Sequence, residues 1–149
     1  MNNVQQLICD FVGGPVGHRL RHGGGRGQAL AKAAGLKSDR NPFIVDATAG
    51  LGRDAFLLAS LGAKVTLIER NKEMHAHLQE GLLRAKDQGG IYSEIIERMT
   101  LLFGDAKDIL PTLNPEVVLI DPMHPPRHKS ALVKKEMRII RTIVGPDND

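Results

Sequence analysis

VDATAGLGRDAFLLASLGAKVTLIERN, residues 45–71, compresses a strand end, a glycine turn, a helix and a second strand into one unit. Phe43-Ile44-Val45 is a short apolar strand that runs into Asp46. Asp54 to Leu61 reads as a helix stopped by Gly62, and Val65 to Ile68 as a strand ending at Glu69. Two strands joined by a helix pair in parallel through a right-handed crossover. Solidly apolar strands, rather than alternating ones, belong to a sheet covered on both faces.

The same rhythm continues outward. Asn71 caps a helix that runs through Met74, Leu78, Leu82 and Leu83 to Gly89-Gly90. Ser93 to Arg98 adds a helical turn or two. Thr100 to Phe103 is a third strand, followed by Gly104-Asp105, and Lys107 to Leu113 is a short helix. Val117 to Ile120 is a fourth strand, entering Asp121-Pro122. Ser130 caps a last helix whose apolar Val133, Met137, Ile140 and Val144 form one stripe. Upstream, Leu7 to Val12 reads as a strand, Gly13 to Gly27 as a glycine-rich loop, and QALAKAAGL as a helix closed by Gly35. The expected architecture is α/β, a mostly parallel sheet with helices on both faces. Residues 1–41 form an N-terminal strand, loop and helix, and residues 42–149 a nucleoside-cofactor core.

At 149 residues the chain fits one domain. No apolar run approaches the roughly 20 residues of a membrane span. MNNVQQLICDF has neither the basic start nor the apolar core of a signal peptide. The one cysteine, Cys9, leaves no internal disulfide, which fits a cytoplasmic protein. It reads as a half-buried strand residue rather than a catalytic thiol. Net charge is +3, and its placement is uneven. Arg19, Arg21, Arg26, Lys32, Lys37 and Arg40 face Asp39 alone, and Arg127, Lys129, Lys134, Lys135, Arg138 and Arg141 face Glu136 alone. Two such stretches suit a polyanionic partner. With four Phe, one Tyr and no Trp, a base-stacking platform is poorly supported.

Ligands of doubly wound sheets sit at the carboxyl ends of the strands. All four expected strands in the core end in an acid: Asp46, Glu69, Asp105 and Asp121. Gly50 and Gly52 allow a tight turn and close approach of a ligand to the backbone. The following helix presents its N-terminal amides there. Gly50-Leu51-Gly52-Arg53-Asp54-Ala55 also matches the dinucleotide fingerprint, and Glu69 lies 17 residues after Gly52, near the spacing of an acid on a ribose diol. NAD and another nucleoside cofactor both fit that much. However, Asp46-Ala47-Thr48-Ala49 separates strand from first glycine, placing a carboxylate where NAD would bring a pyrophosphate. S-adenosylmethionine, with its ammonium and sulfonium, is favoured, and Asp105 can accept from an adenine amine. His18/His22 and His124/His128 are each four apart but lie in no convincing helix, so no metal is expected.

VDATAGLGRDAFLLASLGAKVTLIERN, IDPMHPP and KSALVKKEMRIIRTIVGPD closely resemble the bacterial 16S ribosomal RNA guanine-N2 methyltransferase J family. FVGGPVGHRLRHGGGRGQALAKAAGL is similar to that family's upstream segment. The resemblance covers the chain from about Asp10 onward. It implies a Rossmann-like class I methyltransferase fold, incomplete here at its C-terminal side. It implies S-adenosylmethionine as cofactor, and 16S ribosomal RNA or the small ribosomal subunit as partner. The cofactor contacts it implies are Arg53-Asp54, Glu69-Arg70, Asp105-Ala106 and Asp121. Where the family usually has an aromatic residue, this chain has His124.

The guanine N2 lone pair is delocalised into the ring, so alignment with the methyl donor is the enzyme's main task. The Asp121 carboxylate and the Pro122 carbonyl can accept the two amine hydrogens and stabilise the developing positive charge. Arg26, Arg127, Lys129, Lys134 and Lys135 are candidate RNA phosphate contacts. The rival readings are a methyltransferase of the same fold on another nucleic acid or an amide, a non-catalytic RNA-binding remnant, and an NAD oxidoreductase.

Overall fold

A computed structural model describes residues 9–13, 25–36, 41–47, 49–120 and 138–141. In chain order these form α1 (Gly25–Ala34), β1 (Phe43–Asp46), α2 (Arg53–Ser60), β2 (Lys64–Glu69), α3 (Lys72–Gln88), α4 (Ile91–Ile96), β3 (Met99–Phe103) and α5 (Ala106–Ile109). A 3₁₀ turn at Leu110–Thr112 leads to β4 (Val117–Ile120), and β5 is Arg138–Arg141.

The sheet order is β3-β2-β1-β4-β5. β1 pairs in parallel with β2 and β4, and β2 with β3, while β5 runs antiparallel to β4. Ile44 to Asp46, Val65 to Ile68 and Val117 to Leu119 are each buried without a break. Because alternate strand residues point to opposite faces, unbroken burial means that both faces of the inner strands are covered. This is the mostly parallel, Rossmann-like arrangement expected.

α2 is buried at five successive positions, Ala55 to Ala59, so it is enclosed rather than amphipathic. α3 shows one buried stripe through Leu78, Gly81 and Ala85, and Leu83, off that stripe, is 55% exposed. The Asn71 side chain accepts the Met74 amide at 2.8 Å, and Gly89 closes the helix at φ 79°. Both helix limits follow the expected cap and stop.

Three expectations need correction. Residues 9–13 form no strand: the Asp10 carboxylate accepts from the Val12 and Gly13 amides at 3.1 and 2.8 Å, and this local turn bends the chain away from any ladder. Cys9 is therefore not a half-buried strand residue but a buried one in an irregular segment, 2% exposed. Gly25 to Gly27, read as loop, already belong to α1. The expected last helix is a strand where it is described: Arg138–Arg141 pairs with β4, Ile140 opposite Val118. Ile139 and Ile140 are β-branched, and the open edge of β4 offers unpaired backbone groups, so pairing there overrides the helical spacing. The remaining positions of that reading, 130–137 and 142–144, lie outside the described residues.

The segment at residues 9–13 packs into the core. Phe11, 1% exposed, shares one apolar cluster with Leu30, Ile44, Phe56, Leu67 and Leu78. Gly81 makes this possible, since a Cβ there would lie 2.7 Å from the Cys9 carbonyl oxygen. Arg84 donates to the same oxygen at 2.6 Å.

Candidate functional site

The chain runs β1, β2, β3 outward on one side and returns to place β4 on the other side of β1. The order therefore reverses between β1 and β4. In open α/β sheets the ligand crevice lies at such a reversal, beyond the carboxyl ends of the strands.

Asp46 ends β1 at this point and is 5% exposed, one of two buried polar residues among the described residues. Its Cα is in register with Leu67 on one side and Leu119 on the other. The Ala47 amide donates to the Leu119 carbonyl at 3.0 Å, so pairing continues one residue past the strand. Glu69 is in register with Phe103, which precedes Gly104-Asp105. Parallel pairing thus brings Asp46, Glu69 and Asp105 to one edge of the sheet. Asp121, the residue after β4, lies outside the described residues, as do Pro122, Arg127, Lys129, Lys134 and Lys135.

The glycine turn follows Asp46. Gly50 has φ 54° and Gly52 φ 74°, and the Gly52 amide donates to the Ala49 carbonyl at 2.8 Å. Gly52 begins α2 without any side-chain cap, so the first-turn amides have no capping side chain. These amides and the positive end of the helix suit an anionic group. Arg53 is exposed and Asp54 partly buried at this terminus. A Cβ on Gly52 would meet Leu78 Cδ2 at 3.0 Å, Phe11 Cζ at 3.2 Å and Leu67 Cδ2 at 3.4 Å. Glycine is therefore required here twice, by φ and by packing.

Around Glu69 the contacts are local. Its Oε2 accepts the Asn71 amide at 2.9 Å, and its carbonyl accepts the Gly104 amide at 3.0 Å. Asp105 Oδ1 accepts the Lys107 amide at 2.9 Å, capping α5, with Ala106 as the first residue of that helix. Arg70 Nη1 lies 3.9 Å from Asp105 Oδ2, with the arginine side chain 78% exposed, so this pair contributes little stability. His75 meets the exposed Phe103 edge-on at 5.4 Å beside the same rim.

Burial pushes the Cys9 thiol up to about 11, against the opposing pull of Arg84 and Arg53. At neutral pH it is a protonated, inert thiol. Among the described residues no cluster of three or more His, Cys, Asp or Glu is placed to hold a metal. Among them no helix is long and apolar enough to cross a membrane. The Arg26 backbone lies in α1. Phe11 was missed by sequence reading, because nothing local announces a contact between an upstream segment and the Gly52 turn.

Comparison with known proteins agrees with this geometry. Residues 1–149 match the family described as "Putative SAM-dependent methyltransferase". A Brucella anthropi protein named ribosomal RNA small subunit methyltransferase J is 70% identical over 147 residues, 99% of this chain and 72% of that protein. The Agrobacterium fabrum protein of the same name is 66% identical, covering 97% of this chain and 70% of the relative. The crystal structure of a SAM-dependent methyltransferase from Neisseria gonorrhoeae superposes with a TM-score of 0.70 at 36% identity, over 83% of this chain and 51% of that one. The switch-point crevice, the glycine turn and these similarities lead to one conclusion: the chain belongs to the SAM-dependent methyltransferase family, among relatives named ribosomal RNA small subunit methyltransferase J.

Proposed function

We propose that this chain transfers a methyl group from S-adenosylmethionine to the exocyclic N2 of a guanine in 16S ribosomal RNA, in the cytoplasm. The observation that carries this reading is the row of strand-end carboxylates beside a glycine turn, in a chain 70% identical to a protein named for small-subunit ribosomal RNA methylation.

The donor set fits the cofactor. When bound, S-adenosylmethionine supplies a methyl group already activated on a sulfonium sulfur. Its carboxylate suits the first-turn amides of α2, and its cationic groups suit the buried Asp46 carboxylate. Glu69 keeps acceptor capacity beyond the Asn71 amide, enough for a ribose diol. Asp105, with Ala106 behind it, accepts from the adenine amine. Arg53, Asp54 and Arg70 line the same edge. Asp121 and the Pro122 carbonyl orient the guanine amine and take up its developing positive charge. Arg26, Arg127, Lys129, Lys134 and Lys135 hold RNA phosphates.

The test is titration calorimetry with S-adenosylhomocysteine, followed by methyl transfer to small-subunit particles lacking the modification. Binding and transfer are expected, with transfer abolished in Asp121→Ala. Absence of binding would remove the enzyme reading. Near-normal turnover in Asp121→Ala would remove the amine-orienting role.

A further inference from the structure

The glycine turn rests on a residue far upstream of it. Of the three side chains nearest to where a Gly52 Cβ would be, Leu67 and Leu78 belong to β2 and α3, and Phe11 to the irregular segment at residues 9–13. Phe11 Cζ lies 3.2 Å from where a Gly52 Cβ would be. Its ring also stacks on Phe56 at 4.7 Å, the planes 13° apart. The Phe56 amide in turn donates to the Gly52 carbonyl at 2.9 Å, closing the first turn of α2. Phe11 therefore touches both ends of the first turn of α2.

The prop is itself held. Asp10 fixes the backbone on one side of Phe11 through the Val12 and Gly13 amides. Arg84 holds the Cys9 carbonyl on the other, and Gly81 leaves room for Cys9 against α3. Phe56 continues to Tyr92 at 6.3 Å, so three of the five aromatic residues in the chain form one stack under this turn. In a chain with so few rings, that concentration singles out this place for rigidity.

We infer that Phe11 is a positioning residue for the cofactor: its ring fixes the Gly50–Gly52 turn and the first turn of α2 in the arrangement that binds S-adenosylmethionine. The inference rests on the cofactor reading above. Phe11 is buried and acts through Gly52 and Phe56.

The test compares wild type, Phe11→Leu, Phe11→Met and Met99→Ala by calorimetry with S-adenosylhomocysteine, at a temperature where circular dichroism shows each variant folded. Met99 sits at the amino end of β3, away from the crevice, and its truncation lowers stability alone. Phe11→Leu is expected to weaken binding by about tenfold and to raise KM for S-adenosylmethionine with kcat within about twofold. Phe11→Met, whose longer unbranched thioether reaches Gly52 and can contact the Phe56 ring, recovers most of the affinity, and Met99→Ala binds as wild type does. Wild-type binding by Phe11→Leu overturns this inference and leaves the cofactor reading standing. Equal weakening in Phe11→Leu and Met99→Ala overturns it as a mere stability effect. Failure of wild type to bind overturns both.

Discussion

Gly52 answers to two independent constraints, a left-handed backbone at φ 74° and side chains packed within 3.0 to 3.4 Å of its missing Cβ. Alanine there incurs a left-handed penalty of roughly 1–2 kcal/mol and overpacking of roughly 1–3 kcal/mol. Gly52→Ala is expected to lower unfolding free energy by about 2–5 kcal/mol in urea, at unchanged m-value. A loss under about 0.5 kcal/mol would show that the turn relaxes freely. The position of this glycine was legible in the sequence, because a glycine pair between an apolar strand and a helix has few other uses. So were Asp46, Glu69 and Asp105, each marked by the apolar run before it. Phe11 was not legible, since its importance comes from contacts with Gly52 and Phe56 made only on folding. Cys9 was misread for a related reason: its place between Leu7 and Val12 suggested a half-buried strand, but Asp10 turns the chain and packs Cys9 against Gly81.

At the scale of elements, α3 shows what local signals can specify. Its cap and its glycine stop act within a few residues, and both were legible; its buried face was legible only in part, because Gly81 and Ala85 are buried with Leu78 while Leu83 is 55% exposed. The cap makes a separable contribution. Asn71 uses its side-chain oxygen on the Met74 amide, while its own backbone amide serves Glu69. Asn71→Ala removes the first bond and leaves the second. The expected loss is about 1 kcal/mol of stability, read from urea denaturation, with S-adenosylhomocysteine affinity changed less than about twofold. A large affinity loss would mean that the side chain, and not only the backbone, holds Glu69 in place. β5 marks the limit of such signals. Ile140 fits a helical stripe with Val133, Met137 and Val144 as well as it fits a strand, and a short apolar run does not distinguish the two. Pairing with β4 decides, and that partner lies far away in sequence.

At the scale of the whole molecule, the carboxyl edge of the sheet poses an electrostatic problem. Asp46, Glu69 and Asp105 suit a cationic cofactor and repel an RNA backbone brought to the same edge. A polyanionic substrate must therefore be held by charge located elsewhere in the chain. The two basic stretches, residues 19–40 and 127–141, are its proposed source, and the net charge of +3 conceals how one-sided each is. The second stretch enters the sheet beside β4: Arg138 is in register with Ile120, the residue before Asp121. Backbone topology thus ties this basic stretch to the strand whose end is proposed to meet the guanine. If Lys134 and Lys135 neutralise phosphates there, each releases counterions, steepening the salt dependence by about 0.7 for single-stranded RNA. The double variant Lys134→Ala/Lys135→Ala is expected to bind RNA more weakly and to flatten the log–log salt slope by roughly 1 to 1.5. Its S-adenosylhomocysteine affinity should match wild type, because the cofactor's proposed ligands are on β1, β2 and the helix termini. An unchanged slope with weaker binding would place these lysines in folding rather than in phosphate contact, and Arg26, Arg127 and Lys129 would then have to carry the RNA.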